Sequence, residues 1–73
     1  MSTIVLAESR RGGKSALIER LDGDFGYEYR VTVSERFRAL SKAQAAFLAA
    51  TPPTMADTLS RQIADNNKSS LAP

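Results

Sequence analysis

Asp22-Gly23-Asp24-Phe25-Gly26 followed by Tyr27-Glu28-Tyr29-Arg30-Val31-Thr32-Val33 is the stretch on which the fold turns. Tyr27, Tyr29, Val31 and Val33 alternate with Glu28, Arg30 and Thr32, so an extended chain here has one apolar and one polar face. The five residues before it are turn formers, with glycines suited to the positive φ of a tight hairpin. A hairpin needs an upstream partner, which places a strand over Ser15 to Leu21. Its pattern is poor, because Leu17, Ile18 and Leu21 fit a helical face at least as well as a strand face. The turn chemistry on either side decides for a strand. Thr3 to Ser9 is rich in β-branched and apolar residues and reads as a first strand, joined to the second through Arg10-Arg11-Gly12-Gly13-Lys14. Such short connections make a three-stranded antiparallel meander, since parallel crossovers need a dozen or more residues.

The second half reads as helical. Ser41 and Gln44 have the spacing of a capping box opening a helix over Lys42 to Ala50, with Phe47 and Leu48 for the core. Two readings of Arg36 to Leu40 stay open: a short fourth strand, or the start of a longer helix beginning near Ser34. The polar Gln44 within the stripe Phe37, Leu40, Gln44, Phe47 weighs against the longer helix. Thr51-Pro52-Pro53 ends the helix. Thr54 and Asp57 resemble a second N-terminal cap, and Met55, Leu59 and Ile63 form a narrow stripe. That helix is expected to stop near Asn66-Asn67, leaving residues 68–73 as a flexible tail. The expectation is one α+β domain over residues 1–67: a three-stranded antiparallel sheet, with or without a short fourth strand, and then two helices.

Composition narrows the function. In 73 residues there is neither cysteine nor histidine. Disulfides, thiolate metal sites and imidazole catalysis are therefore closed to the chain, and no cofactor is expected. A core of this size without staples often gains stability by self-association or by binding a partner. No apolar run approaches a membrane span, and Ile4-Val5-Leu6-Ala7 followed by Glu8 is too short for a signal peptide. A soluble, cytoplasmic protein is expected.

Arg10-Arg11-Gly12-Gly13-Lys14-Ser15 resembles the end of a phosphate-binding loop. The loop's first glycine would have to stand where Glu8 does, and a carboxylate there repels phosphate. Nucleotide hydrolysis drops out. Lys14-Ser15 and Ser41-Lys42 are sequence neighbours without a positioned base, and Asp22 and Asp24 sit in a turn where aspartate stabilises the backbone. No catalytic set remains, so the chain is read as a non-enzyme.

The net charge of +2 is mild, but the cations cluster at Arg10, Arg11 and Lys14 and at Arg36, Arg38 and Lys42. With Arg30 of the polar strand face, Arg10, Arg11, Lys14, Arg36 and Arg38 are the candidate partner contacts. A sheet of three strands packed on a helix resembles the integrase-type readers of DNA, which lay strands in the major groove. That resemblance implies a nucleic-acid partner. Glu8, Glu19, Glu28 and Glu35 lie among the cations and weaken a phosphate-binding surface. In size and lack of catalytic equipment the chain also resembles phage- or mobile-element-encoded inhibitors that block a host protein. The leading expectation is a non-catalytic regulator or inhibitor that occludes the acidic surface of another protein, with nucleic acid as the alternative partner. An edge strand or the Met55-Leu59-Ile63 stripe could serve as its docking element.

Overall fold

The computed structural model describes residues 2–11, 14–32 and 34–71. Four strands, β1 (Ser2–Arg11), β2 (Lys14–Gly23), β3 (Gly26–Val31) and β4 (Glu35–Phe37), form one antiparallel sheet in the order β1-β2-β3-β4. Two helices follow, α1 (Leu40–Ala49) and α2 (Ala56–Leu71), with a 3-10 turn over Pro53–Met55 between them. The α+β meander read from the sequence is the observed fold, and the fourth strand exists as a short one.

The helices pack on a single face of the sheet, α2 along β1 and α1 across β2, β3 and β4. Leu6, Ala7, Ala16, Ile18, Tyr29 and Val31 meet Ala43 and Phe47 of α1 and Leu59 and Ile63 of α2 in the core. The stripe on α2 is thereby consumed, with Leu59 and Ile63 buried and Met55 packed against them. That removes it as a docking element.

β2 explains why its own pattern misled. Its core-facing positions, in register with buried Tyr29 and Val31, are Ile18 and Arg20, while Leu17, Glu19 and Leu21 take the opposite face. An inward arginine and outward leucines invert the usual alternation, so period-2 hydrophobicity disappears from the sequence. In β1 the register shifts between Val5 and Ala7, and Leu6 and Ala7 are both buried. The extra residue of this bulge lets two successive side chains enter the core. Asn66 Nδ2 donates to the Leu6 carbonyl oxygen at 2.7 Å and ties α2 to that point of the edge strand.

Several expected boundaries shift. β3 ends at Val31 because Thr32 turns to φ 49°; Val33 lies outside the described residues. The longer helix from Ser34 is excluded, since Glu35, Arg36 and Phe37 pair with Val31, Arg30 and Tyr29. α1 begins at Leu40 with Ala39 as its N-cap and no side-chain cap. Ser41 is thus already inside the helix, and Gln44 donates from Nε2 to Ser60 Oγ at 3.2 Å, linking the helices in place of a capping box. Thr54 lies in the 3-10 turn that precedes α2. α2 runs to Leu71, past the expected stop at Asn66-Asn67 and into the segment assigned to a tail. Both asparagines are engaged by tertiary hydrogen bonds, so neither serves as a helix stop.

Candidate functional site

The face of the sheet opposite the helices is covered by no described element. Alternation puts Thr3, Val5, Glu8 and Arg10 of β1 on it, with Leu17, Glu19 and Leu21 of β2, Glu28 and Arg30 of β3, and Arg36 of β4. Val5 is 50 % exposed there. The cations of this face are paired with acids of the same chain. Arg30 Nε lies 2.9 Å from Glu19 Oε1, Arg36 Nη1 3.8 Å from Glu28 Oε1, and Arg10 Nε 3.3 Å from Glu8 Oε1. Arg30 stands directly opposite Arg36. That like-charge pair is offset by Glu19 on one side and Glu28 on the other. The hydrogen bond to Glu19 holds the Arg30 guanidinium even more firmly protonated than usual.

The six candidate contacts do not form one patch. Arg10, Arg11 and Lys14 lie at the closed end of the β1–β2 hairpin, where Arg11 and Lys14 pair; the side chains of Arg11 and Lys14, and Gly12-Gly13, lie outside the described residues. β2 pairs with β3 only from Ile18 onward, so this hairpin projects beyond the rest of the sheet. Lys14 and Ser15 thus begin an antiparallel strand and not a helix, which removes the architecture of a phosphate-binding loop. Arg30 and Arg36 are cross-strand partners, and with Arg38 they form a second group on the side of the turn joining β2 and β3.

At that end the Asp24-Phe25 turn and β4 frame a concavity of about 550 Å³ on the open face. Phe25, at the turn, is 97 % exposed. The sequence marked this segment as a turn and passed over its aromatic residue, because a turn needs only the flanking glycines and aspartates. Arg38 and Asp24 both line the concavity, and neither has an ion pair or hydrogen bond among the described residues.

A second cluster was not anticipated. Arg20 is 1 % exposed on the core side of β2. Its Nε and Nη2 donate to the two carboxylate oxygens of Asp22 at 2.6 and 3.1 Å. Its Nη1 reaches the Asn67 Oδ1 at 3.0 Å and the Asn67 carbonyl at 3.3 Å, and its guanidinium carbon lies 4.5 Å from the Tyr27 ring centroid. Ser2 Oγ also donates to Asp22. The arginine's hydrogen bond, followed by that of Ser2 and its positive charge, holds Asp22 below the ordinary carboxylate range despite partial burial. The same bond raises the Arg20 pKa against the opposing effect of burial. This is a structural clamp between β2, β3 and the end of α2. The one sequence hint was the i, i+2 spacing of Arg20 and Asp22, which puts both on one strand face.

Among the described residues no group of three or more acidic side chains could hold a metal ion, and no helix is long and apolar enough to cross a membrane. No family model, curated protein or solved structure matches this chain.

Proposed function

We propose that this protein is a non-catalytic binding module, a regulator or inhibitor that acts in the cytoplasm by occluding the surface of a protein partner. The observation that carries this reading is the open sheet face. No described element covers it, it mixes Val5 and half-buried leucines with charges, and its arginines are already paired with neighbouring glutamates. A polyanion needs free cations in a row to release counterions, and an internally paired lattice offers few. A protein surface with its own mixed charges and apolar groups is the better match. An acidic patch on that partner would meet Arg10, Arg11 and Lys14 at the hairpin end, with Arg36 and Arg38 as a second contact.

The projecting β1–β2 hairpin favours one alternative, a nucleic-acid reader that inserts this ribbon into a groove. Affinity capture from expressing cells, with and without nuclease, separates the two. The proposal expects a nuclease-resistant protein partner that is lost when Arg10 and Arg11 are reversed to glutamate. Retention of every partner after reversal of Arg10 and Arg11, and separately of Arg36 and Arg38, overturns it. Duplex or single-strand binding that falls steeply with rising salt would establish the alternative.

A further inference from the structure

Phe25 is the least economical residue of the fold. Its ring is almost wholly in water at the tip of a turn, where it supports nothing in its own chain. Beside it, the concavity is lined by Arg30, Arg36 and Arg38 and by Asp22, Asp24 and Glu28, three charges of each sign. Four of these six already have partners within the chain: Asp22 with Arg20, Arg30 with Glu19, and Arg36 with Glu28. Arg38 and Asp24, of opposite sign, have none among the described residues. A surface with one cation and one anion unpaired among the described residues, beside an exposed aromatic ring, is neither acidic nor basic. It is complementary to itself.

We infer that the Phe25 concavity is a self-association site, at which a second copy of this chain docks about a two-fold axis. In a two-fold interface residue i meets j and j meets i, so one Asp24–Arg38 contact is made twice. Each Phe25 then covers the partner's concavity, against Leu21 on its floor and the aliphatic stems of its arginines. A small domain without cysteines, and so without disulfides, has much to gain from such burial. The site lies on the same open face as the regulator reading and shares Arg38 with it, but sedimentation of the pure chain tests it with no other protein present, so the two readings can fail separately.

The test is a charge swap on the full chain, read by sedimentation equilibrium. Wild type is expected to dimerise reversibly, with a thermal midpoint that rises with concentration. Phe25→Ser, Asp24→Arg and Arg38→Asp are each expected to give monomers with an unchanged circular dichroism spectrum. The double variant Asp24→Arg/Arg38→Asp should dimerise again. An equimolar mixture of the two single charge variants should form a heterodimer, because each then supplies what the other lacks. A monomeric wild type overturns the inference. So does a dimer indifferent to Phe25→Ser, or a double swap that fails to restore association. If wild type stays monomeric and Phe25→Ser instead abolishes capture of a different protein, the site is heterologous and the inference also falls.

Discussion

Replacing Arg20 with alanine tests whether the buried clamp holds this fold together. The substitution deletes four hydrogen bonds, two of them to a carboxylate, and the contact with the Tyr27 ring. It also leaves Asp22 charged without its main donor and opens a void under α2. Removing one partner of a buried ion pair costs about 3–5 kcal/mol. The Asp22 side chain keeps 26 % exposure, so water can reclaim part of its solvation. The lower end, about 3 kcal/mol, is therefore expected. A domain of 73 residues has a total stability of roughly 4–11 kcal/mol on a per-residue scale, so the loss is a large share of it. At about 4–8 °C per kcal/mol for a domain this small, the thermal midpoint should fall by at least ~12 °C. Urea denaturation followed by far-ultraviolet circular dichroism reads the change as a lower midpoint at constant slope. Hydrogen exchange adds a local readout, because Asn67 loses its bonds to Arg20 and the amides near the end of α2 should exchange faster than those of β2 and β3. Arg20→Lys should fall between, since an ammonium lacks the planar fork that engages both oxygens of Asp22. A loss under about 1 kcal/mol for Arg20→Ala, the range of an exposed pair, would refute the reasoning.

Three further outcomes follow from the same structure. Asp22 has a lowered folded pKa, so its contribution is complete above the unfolded value of 3.8 and is lost as pH falls through the folded value below it. The acid limb of stability should therefore flatten in Asp22→Asn, measured as urea midpoint against pH. Ala39 occupies the N-cap of α1 in extended geometry with no side-chain cap, and no acidic residue lies in the first turn. Ala39→Ser should stabilise the fold by about 1 kcal/mol, seen as a raised thermal midpoint. Thr32 is exposed with φ 49°, a conformation that costs a β-branched residue about 1–2 kcal/mol. Thr32→Asn should raise the midpoint while keeping the backbone bond from Thr32 N–H to the Leu17 carbonyl. A lower midpoint would mean the Thr32 side chain does something the strain argument omits.

The meander was legible because local chemistry and topology agree there. The Asp22–Gly26 turn and the alternation after it specify a hairpin without help from the rest of the chain. The short second connection then forces an antiparallel neighbour. Proline at 52 and 53 and the apolar stripe of α2 likewise placed two helices after the strands. The signals that failed are those where tertiary contact overrides local preference. Ser41 and Gln44 have the right spacing for a cap, yet Phe37 is held in a strand beside Tyr29 and Gln44 is drawn to Ser60. Asn66 and Asn67 resemble a helix end, but their side chains reach the Leu6 carbonyl and Arg20, so α2 continues.

For the candidate site the division is sharper. The sequence by itself determined that the chain carries no thiol or imidazole chemistry and that six of its ten cations fall in two clusters. Those are matters of composition and order. Only the tertiary structure decided which cations are spent. Whether an arginine is free depends on what stands across the strand from it, and register brings Glu19 to Arg30 and Glu28 to Arg36 while leaving Arg38 exposed. The same register turned Arg20 inward, and the turn beyond it left Phe25 in water, so both residues escaped a reading by periodicity.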